Sequence, residues 1–257
     1  MTTGTEQHHE HDWQSQEYVD YWIGRDVTRD DERREHLLRM AALLPYEPDA
    51  EIRVLDVGAG YGAVSQAVLE TFPNAHVVLH DFSGPMLEHA RQRLERYGDR
   101  TSQVMADLTD PAWTQTVGEP VDGVVSGIAI HNLREPELIA RVYADIFTVV
   151  KPGGAFLNWE LIQQGDTSRA ANARATLVME RRRRFKETGV QPSLEELAAE
   201  REVRRPSWGV GRRMRRTRPT LMDHLGWLRA AGFDEAECFW RDGSNALIGG
   251  YRWSPDD

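Results

Sequence analysis

Short apolar runs and longer amphipathic segments alternate along the middle of the chain. The amphipathic segments repeat apolar residues every three or four positions, which predicts helices at 63–71, 83–98 and 136–150. The apolar runs predict five strands, at 53–57, 76–81, 103–106, 122–126 and 155–161. Strands that alternate with helices in this way form βαβ units, so the pattern predicts a doubly wound, mostly parallel α/β sheet.

The carboxyl-terminal part predicts one more helix and a hairpin. Residues 220–231 have helical periodicity and are followed by Gly232, a residue typical of helix ends. Two short alternating runs, 236–240 and 247–253, flank the turn residues 242–245. Turn residues of this kind between two runs predict a terminal antiparallel hairpin.

Two segments interrupt the alternation of strands and helices. The amino-terminal segment is aromatic at 13–22 and amphipathic at 30–44, which predicts a helix in the second part. The later segment, 163–219, is rich in arginine. Within it Ser193 and Glu196 have the spacing of a capping box, which predicts two helices joined by a loop.

The chain length fits one large domain. At 257 residues the chain can bury a full α/β core, whereas two independent domains would each be small. We therefore expect one domain over residues 1–257, with its core formed by 46–162 and 220–257. Residues 1–45 would form a helical lid and 163–219 a helical cap over the substrate.

Composition excludes several classes of protein. Cys238 is the only cysteine, which excludes an internal disulfide framework and a cysteine zinc site. No 18-residue apolar run and no signal peptide is present, so we expect a cytoplasmic protein without a membrane partner.

Charge is distributed unevenly. Residues 169–218 contain 14 arginines and one lysine against six glutamates, which gives this segment a charge of about +9. Because the net charge of the chain is −10, the remainder carries about −19. The basic segment suggests an anionic substrate. Alternatively, its charges face solvent, because consecutive arginines such as 181–184 point to all sides of a helix.

A glycine-rich turn joins the first strand to the following helix. Glycine lets a ligand approach the backbone, and the amides at a helix start can bind anionic groups. Gly58, Gly60 and Ala63 have the spacing of a dinucleotide fingerprint, and Asp81 lies 23 residues after Gly58. Asp56, however, is unfavourable beside a pyrophosphate and acceptable beside a cationic ligand. This favours a cationic nucleotide over NAD.

Five signals occur in the order found in class I S-adenosylmethionine-dependent methyltransferases. They are the loop VLDVGAGYG, the acidic strand end in VVLHDFSGPML, the aspartate in VMADL, the strand and histidine in VDGVVSGIAIHNL, and the turn KPGG. The motif WLRAAGF and the hairpin are similar to the end of that fold. The chain resembles this family over about 50–162 and 220–253. The resemblance implies a Rossmann-like, seven-stranded sheet with a terminal antiparallel hairpin.

The resemblance also implies S-adenosyl-L-methionine as the cofactor. Asp81 would accept the ribose hydroxyls, Phe82 and Met86 would pack on the adenine, and Asp107 would accept from its amine. The other assigned residues would contact the methionyl part or, for Leu108, a ring nitrogen. Met86 could equally pack in a helix core. The full set is Asp56, Gly58, Ala59, Gly60, Asp81, Phe82, Met86, Asp107, Leu108 and Gly127.

Two residues are candidates for a general base. Methyl transfer depends mainly on alignment, and a base is needed only when the nucleophile is protonated. His131 follows the fourth strand, where the methyl group would point, and an imidazole is suited to removing a hydroxyl proton. Glu160, at the end of strand five, is the second candidate. His131 could instead pack a helix against the sheet, and no metal is expected.

Aromatic and arginine side chains are candidates to bind the acceptor. Aromatic rings can line an apolar or cation-binding pocket, and arginines would favour an anionic group. Alternatively, Tyr18 and Trp22 form a helix face against the core. The candidates are Tyr18, Tyr21, Trp22, Trp159, Trp208, Arg212 and Arg213.

We therefore predict a small-molecule methyltransferase that transfers the methyl group to oxygen rather than to nitrogen or carbon. The acceptor would be a hydroxyl or carboxylate of an aromatic or apolar metabolite that can carry negative charge. Its loop after strand four differs from the Asn-Pro-Pro-Tyr type of DNA adenine enzymes, and nucleic acid is not an expected partner. The alternatives are an RNA-modifying methyltransferase, an enzyme similar to carboxy-S-adenosylmethionine synthases, and a non-catalytic cofactor-binding protein. A homodimer is compatible with each.

Overall fold

The computed structural model describes residues 12–27, 30–204 and 218–254. The helices in these ranges are α1 (Gln16–Asp26), α2 (Asp30–Ala41), α3 (Ala63–Thr71), α4 (Gly84–Leu94), α5 (Pro136–Val149), α6 (Asp166–Thr188), α7 (Leu194–Arg204) and α8 (Leu221–Ala231). The strands are β1 (Arg53–Val57), β2 (His76–Asp81), β3 (Thr101–Met105), β4 (Val121–Gly127), β5 (Val150–Leu161), β6 (Glu237–Asp242) and β7 (Asn245–Arg252).

The strands form one sheet in the order β3-β2-β1-β4-β5-β7-β6. The pairs from β3 through β5 are parallel, and β7 is antiparallel to both β5 and β6. The predicted doubly wound sheet with a terminal antiparallel hairpin is therefore confirmed. The strand order reverses between β1 and β4, and ligands of such sheets bind at the carboxyl ends of the strands beside that reversal.

The sheet is covered on both faces by apolar helices. On one face the core includes Leu37 of α2 and Val68 of α3, and on the other it includes Ile139 of α5 and Leu228 of α8. This explains why β1 and β2 read as continuous apolar runs, since both of their faces are buried.

The segment KPGG was predicted as a turn before strand five, and that prediction is wrong. β5 already begins at Val150, which pairs with Val121, whereas the next pair joins Ala155 to Gly123. The residues between Val150 and Ala155 therefore bulge out of register with β4. β7 keeps them in the sheet, because Gly154 pairs with Arg252. Partner strands of this kind cannot be identified from the local sequence.

The arginine-rich segment forms the two predicted helices, α6 and α7. The capping box at the start of α7 is present, with Ser193 and Glu196 exchanging hydrogen bonds. No residue of α6 is buried, and Arg184 pairs with Glu200 of α7. The described arginines of α6 therefore face solvent or nearby glutamates. Trp208, Arg212 and Arg213 lie outside the described residues.

In the described part of the chain, no helix is both long and apolar enough to span a bilayer.

Candidate active site

The glycine turn after β1 is tightly packed at one glycine and open at another. The N–H groups of Gly58 and Ala59 both donate to the carbonyl of His80, over 2.8 and 3.0 Å. A Cβ on Gly58 would lie 2.4 Å from the Cβ of Ala129, whereas a Cβ on Gly60 would meet no atom within 4 Å. Both glycines have positive φ, 67° and 53°. A ligand can therefore approach the backbone at Gly60.

Asp81 connects the ends of β1 and β2. Its Oδ2 accepts from the N–H of Gly60 over 2.8 Å, and its Oδ1 accepts from the N–H of Ser83 over 2.9 Å. Burial raises the pKa of this carboxyl, and the two backbone donors oppose the increase. Each oxygen has a further lone pair, so the carboxylate can still accept from a ligand hydroxyl.

Asp56 is a fully buried carboxyl beneath the same turn. Its Oδ2 accepts from the hydroxyl of Ser65 over 2.6 Å, while its Oδ1 has no partner among the described residues. Burial raises the pKa of Asp56 to about 7. The glycine turn is therefore held by Asp81, whereas Oδ1 of Asp56 is a buried acceptor without a partner among the described residues.

β4 approaches α3 so closely that its last residue, Gly127, has no room for a side chain. A Cβ on Gly127, at the end of β4, would lie 2.6 Å from Cγ2 of Val64. The next residue, Ile128, has a φ of 54°, which is uncommon for a β-branched residue. The backbone after β4 is thus forced to turn sharply next to the glycine turn.

The residues predicted to hold adenine differ in their exposure. Met86 is buried against Val19 and Tyr61, as in the alternative interpretation of a helix core. Phe82 is 41 % exposed. Asp107 is exposed, and its Oδ1 accepts from the N–H of Thr109. Phe82 and Asp107 are thus accessible to a ligand.

The loop after β3 contacts α5 through Leu108, whose side chain packs on the core cluster that includes Ile139 and whose carbonyl faces Arg141. The carbonyl accepts from Nη2 of Arg141 over 2.6 Å. This contact fixes the loop after β3 next to the sheet.

Helix α1 lies over the glycine turn through aromatic contacts. The ring of Trp22 is edge-on to Tyr61 of the turn, with 6.0 Å between ring centroids, and Trp13 packs on both Trp22 and Tyr18. Tyr21 points away and is 57 % exposed. Trp22 thus packs on the glycine turn, and Tyr18 is linked to Trp22 through Trp13.

No local sequence pattern indicates that Tyr61 anchors this helix. Its hydroxyl donates toward carboxylates of Asp26 at the end of α1 and Asp30 at the start of α2. Arg33 pairs with Asp26, and Arg93 of α4 pairs with Asp30 over 2.8 Å. Two carboxylates around the tyrosine are therefore neutralised by two arginines.

The chain before the start of α4 contacts the segment that precedes α1. Nε2 of Gln14 donates to the carbonyl of Phe82 over 2.8 Å, and the hydroxyl of Ser83 donates to the carbonyl of Trp13. The segment before α1 therefore crosses the loop that contains Asp81.

The two predicted base candidates form one pair. Nδ1 of His131 lies 2.6 Å from Oε1 of Glu160, and the N–H of His131 donates to Oε2 over 3.0 Å. Oε1 also accepts from the N–H of Leu161. Although burial favours the neutral acid, His131 holds the pKa of the fully buried Glu160 below its usual range. The side chain of His131 is 12 % exposed, so a small molecule can reach its ring.

Trp159 lies on the opposite face of β5 from Glu160, because successive strand residues alternate. Its ring is 6 % exposed and lies edge-on to His36 of α2 and Trp240 of β6. Its indole N–H donates to Oδ1 of Asn245 over 3.3 Å. Trp159 is thus mostly packed in the core beside the carboxyl ends of the strands.

Comparisons with known proteins agree with this geometry. Residues 54–154 match the family described as methyltransferase domain. The demethylmenaquinone methyltransferase of Clavibacter sepedonicus is 36 % identical over 120 residues, which is 47 % of this chain and 45 % of that protein. The carboxy-S-adenosyl-L-methionine synthase of Aeromonas hydrophila is 31 % identical over 107 residues, 41 % of each. The chain spans less than half the length of these relatives in the matched regions.

Solved structures share the fold. An O-methyltransferase family protein from Burkholderia thailandensis superposes with a TM-score of 0.62 at 18 % identity, covering 93 % of this chain and 60 % of that one. Human N-acetylserotonin methyltransferase, solved with S-adenosylmethionine, superposes with a TM-score of 0.58 at 13 % identity, covering 94 % and 58 %. With the family match and the strand order, this establishes that residues 54–154 form a methyltransferase domain of the class I S-adenosylmethionine-dependent family.

Proposed function

We propose that the protein transfers a methyl group from S-adenosylmethionine to an oxygen of a small molecule, either a hydroxyl or a carboxylate of an aromatic or apolar metabolite. The observation that carries this proposal is the pairing of His131 with the buried Glu160 next to the glycine turn. A base so placed is useful when the nucleophile must lose a proton, as a hydroxyl does.

The residues around the glycine turn fit the cofactor. The unpartnered Oδ1 of Asp56 suits the ammonium of the methionyl part, and the open space at Gly60 gives that part access to the backbone. Asp81 would accept from the ribose hydroxyls, with Phe82 and Asp107 beside the adenine. When bound, the cofactor supplies a sulfonium methyl group, which a nucleophile can take directly.

The pair of His131 and Glu160 determines which imidazole nitrogen can act. Because Glu160 is ionised, it accepts a hydrogen bond, so Nδ1 of His131 carries the proton. The lone pair of Nε2 is then free to take a proton from the acceptor. A carboxylate that fixes the tautomer of a catalytic histidine is a recurrent arrangement in enzymes.

Helices that do not connect neighbouring parallel strands of the sheet would enclose the acceptor. Helix α1, together with α2, would form a lid over the cofactor, and α6 and α7 would form a cap after β5. The pocket wall would include Trp22 from the lid and Trp159 from β5. Arg218, which precedes α8, is exposed and could contact an anionic acceptor.

Replacement of His131 tests the proposal. We expect His131→Ala to lower turnover on a hydroxyl acceptor by roughly a hundredfold or more, with unchanged affinity for S-adenosylhomocysteine. His76→Ala is a matched control, because this partly exposed histidine begins β2, at the end of the strands opposite Glu160. Near-normal turnover of His131→Ala would contradict the role of His131 as base and would favour the alternative role in packing.

A second candidate is conversion of the cofactor itself, which the match to carboxy-S-adenosyl-L-methionine synthase supports. Mass spectrometry of the nucleotide after incubation with S-adenosylmethionine and a carboxyl donor distinguishes the two functions. A carboxylated cofactor would favour the synthase, and S-adenosylhomocysteine with a methylated acceptor would favour the methyltransferase.

A further inference from the structure

A groove lies between the starts of α5 and α8, beside the segment that follows β5. Its volume is about 310 Å³, which is within the range of small-molecule sites. Apolar and polar side chains share its wall, which includes Pro136, Gln163, Arg218, Thr220, Asp223 and Trp227. None of these residues belongs to the set assigned to the cofactor.

The groove is close to the pair of Glu160 and His131. Gln163 follows Glu160 by three residues, so their Cα atoms are at most about 11 Å apart. Glu160 faces the same side of the sheet as the groove, because Asn158, two residues before it on β5, donates to Tyr143 of α5 over 2.9 Å. A molecule that extends from the groove along the end of β5 can therefore reach the proposed base.

Trp227 is a fixed aromatic wall of the groove. Its ring is edge-on to Tyr143, with 6.2 Å between ring centroids, and to His224, with 5.3 Å. Both neighbours are fully buried, and the hydroxyl of Tyr143 lies 2.8 Å from Nδ1 of His224. Trp227 itself is partly exposed. Its ring is therefore held from inside the core, while its exposed part can contact a flat apolar ligand.

The carboxylate of Asp223 is already engaged at the start of α8. Its Oδ2 accepts from the N–H and from the hydroxyl of Thr220, each over 2.7 Å. These donors lower the pKa of Asp223, and a negative charge in the first turn interacts favourably with the helix dipole. The charge of Asp223 therefore stabilises the helix start and does not compensate a cation in the groove.

Arg218 is the uncompensated charge of the groove. Its side chain is exposed, and no ion pair or hydrogen bond joins it to another described residue. The preceding residues 205–217 contain five arginines and no acidic residue, so they cannot supply a carboxylate side chain. The groove thus combines an unpaired guanidinium with an aromatic ring.

We propose that the groove binds an aromatic carboxylate, with the carboxylate on the guanidinium of Arg218 and the ring against Trp227. A guanidinium can bind a carboxylate through two parallel N–H···O bonds, and the opposite charges strengthen both. As the binding site of the methyl acceptor, the groove rests on the proposed function. As an anion site it does not, because it is present in the protein without cofactor.

Benzoate and benzamide are suitable probes, because they share the ring and differ in charge. The indole N–H signal of Trp227, one of eight tryptophans, is assigned by its absence from the ¹H–¹⁵N spectrum of Trp227→Phe. We expect benzoate to shift this signal in a saturable way, and benzamide to bind more weakly by about fivefold or more. Added salt should weaken the binding of benzoate only, because Arg218 is exposed.

Arg218→Gln removes the guanidinium and keeps a long polar side chain. We expect its affinity for benzoate to fall by about fivefold or more, to that of benzamide. Arg34→Gln is the matched control and should bind as the wild type, because Arg34 lines a separate cavity among α2, α3 and α4 and pairs with Glu70 over 2.7 Å. A Trp227 signal that does not move with benzoate, or equal affinities of the wild-type protein for the two probes, would overturn the proposal.

Methyl transfer to hydroxybenzoates separates the groove from the proposed function. If the groove holds the acceptor, Arg218→Gln should raise the KM for a hydroxybenzoate by about fivefold or more while cofactor affinity stays constant. Benzoate binding at Trp227 without methylation of any hydroxybenzoate would reject these acids as acceptors and leave the anion site supported. Methylation with an unchanged KM in Arg218→Gln would overturn the assignment of the acceptor to the groove.

Discussion

The backbone N–H of Gly60 donates to Oδ2 of Asp81 over 2.8 Å, joining the turn after β1 to the end of β2. Because the turn is held by the protein's own carboxylate, its amides are oriented before a ligand arrives. Gly60 has open space beside it and would face the ligand. Gly58 is closely packed, so it is required for the fold itself.

Alanine substitutions separate these roles. In Gly60→Ala the added methyl group meets no protein atom, so we expect a folded protein destabilised by only about 1–2 kcal/mol from its positive φ. Its affinity for S-adenosylhomocysteine should fall by roughly tenfold or more, because the methyl group occupies the approach to the backbone. Calorimetric titration measures this affinity.

Gly58→Ala serves as the comparison. Its Cβ would collide with Ala129 at 2.4 Å, so we expect a larger loss of stability, about 3 kcal/mol or more, measured by chemical unfolding. If Gly60→Ala bound S-adenosylhomocysteine normally, the ligand would not approach the turn from this side.

Cofactor affinity should depend on pH through Asp56. Burial raises the pKa of Asp56 to about 7, so the carboxyl loses its proton as the pH rises toward 7.5. A cationic ammonium prefers the ionised form, and therefore affinity should increase with pH. We expect affinity for S-adenosylhomocysteine to be about fivefold higher at pH 7 than at pH 6.

Two controls identify Asp56 as the source of this dependence. Titrations in buffers with different ionisation enthalpies should reveal proton release on binding near pH 6.5. Asp56→Asn should bind more weakly and with a flat pH profile over this range. A wild-type protein with pH-independent affinity and no proton release would show that Asp56 does not face the ammonium.

The contact of Tyr61 with α1 predicts a local effect. Tyr61→Phe removes a hydroxyl shared by Asp26 and Asp30, so we expect a loss of about 1–2 kcal/mol in stability. Amide hydrogen exchange should accelerate mainly in α1, because the hydroxyl holds Asp26, the last residue of this helix.

Tyr46→Phe is the matched control for that experiment. Its hydroxyl donates to the carbonyl of Asp122 over 3.1 Å near the amino end of β4, at the opposite end of the strands, so exchange in α1 should stay unchanged. Equal acceleration in both variants would mean that α1 responds to general destabilisation rather than to Tyr61.

The sequence predicted the parallel part of the sheet closely because local signals and burial agree there. The predicted limits of β1, β2 and α3 match the structure, since each apolar run ends at a glycine, proline or aspartate. The glycine turn was predictable for the same reason. Its glycines and Asp81 are required by backbone geometry at strand ends.

The remaining features depend on contacts between distant residues. His131 and Glu160 were predicted singly, and their pairing follows only from the adjacency of β4 and β5. No local pattern connects Tyr143 to His224 or Tyr61 to Asp26, because each pair joins separate helices or loops. The placement of α1 and α7 against their neighbours could not be predicted, because these helices have no periodic relation to the sheet.

Calorimetric titration of the purified protein with S-adenosylhomocysteine and with NAD tests the central claim most directly. We predict binding of S-adenosylhomocysteine in clear preference to NAD, and an affinity weakened by roughly tenfold or more in Asp81→Ala. Asp122→Ala, which removes a carboxylate at the opposite end of the strands, should retain wild-type affinity. Preferential binding of NAD, or unchanged S-adenosylhomocysteine affinity in folded Asp81→Ala, would contradict the account.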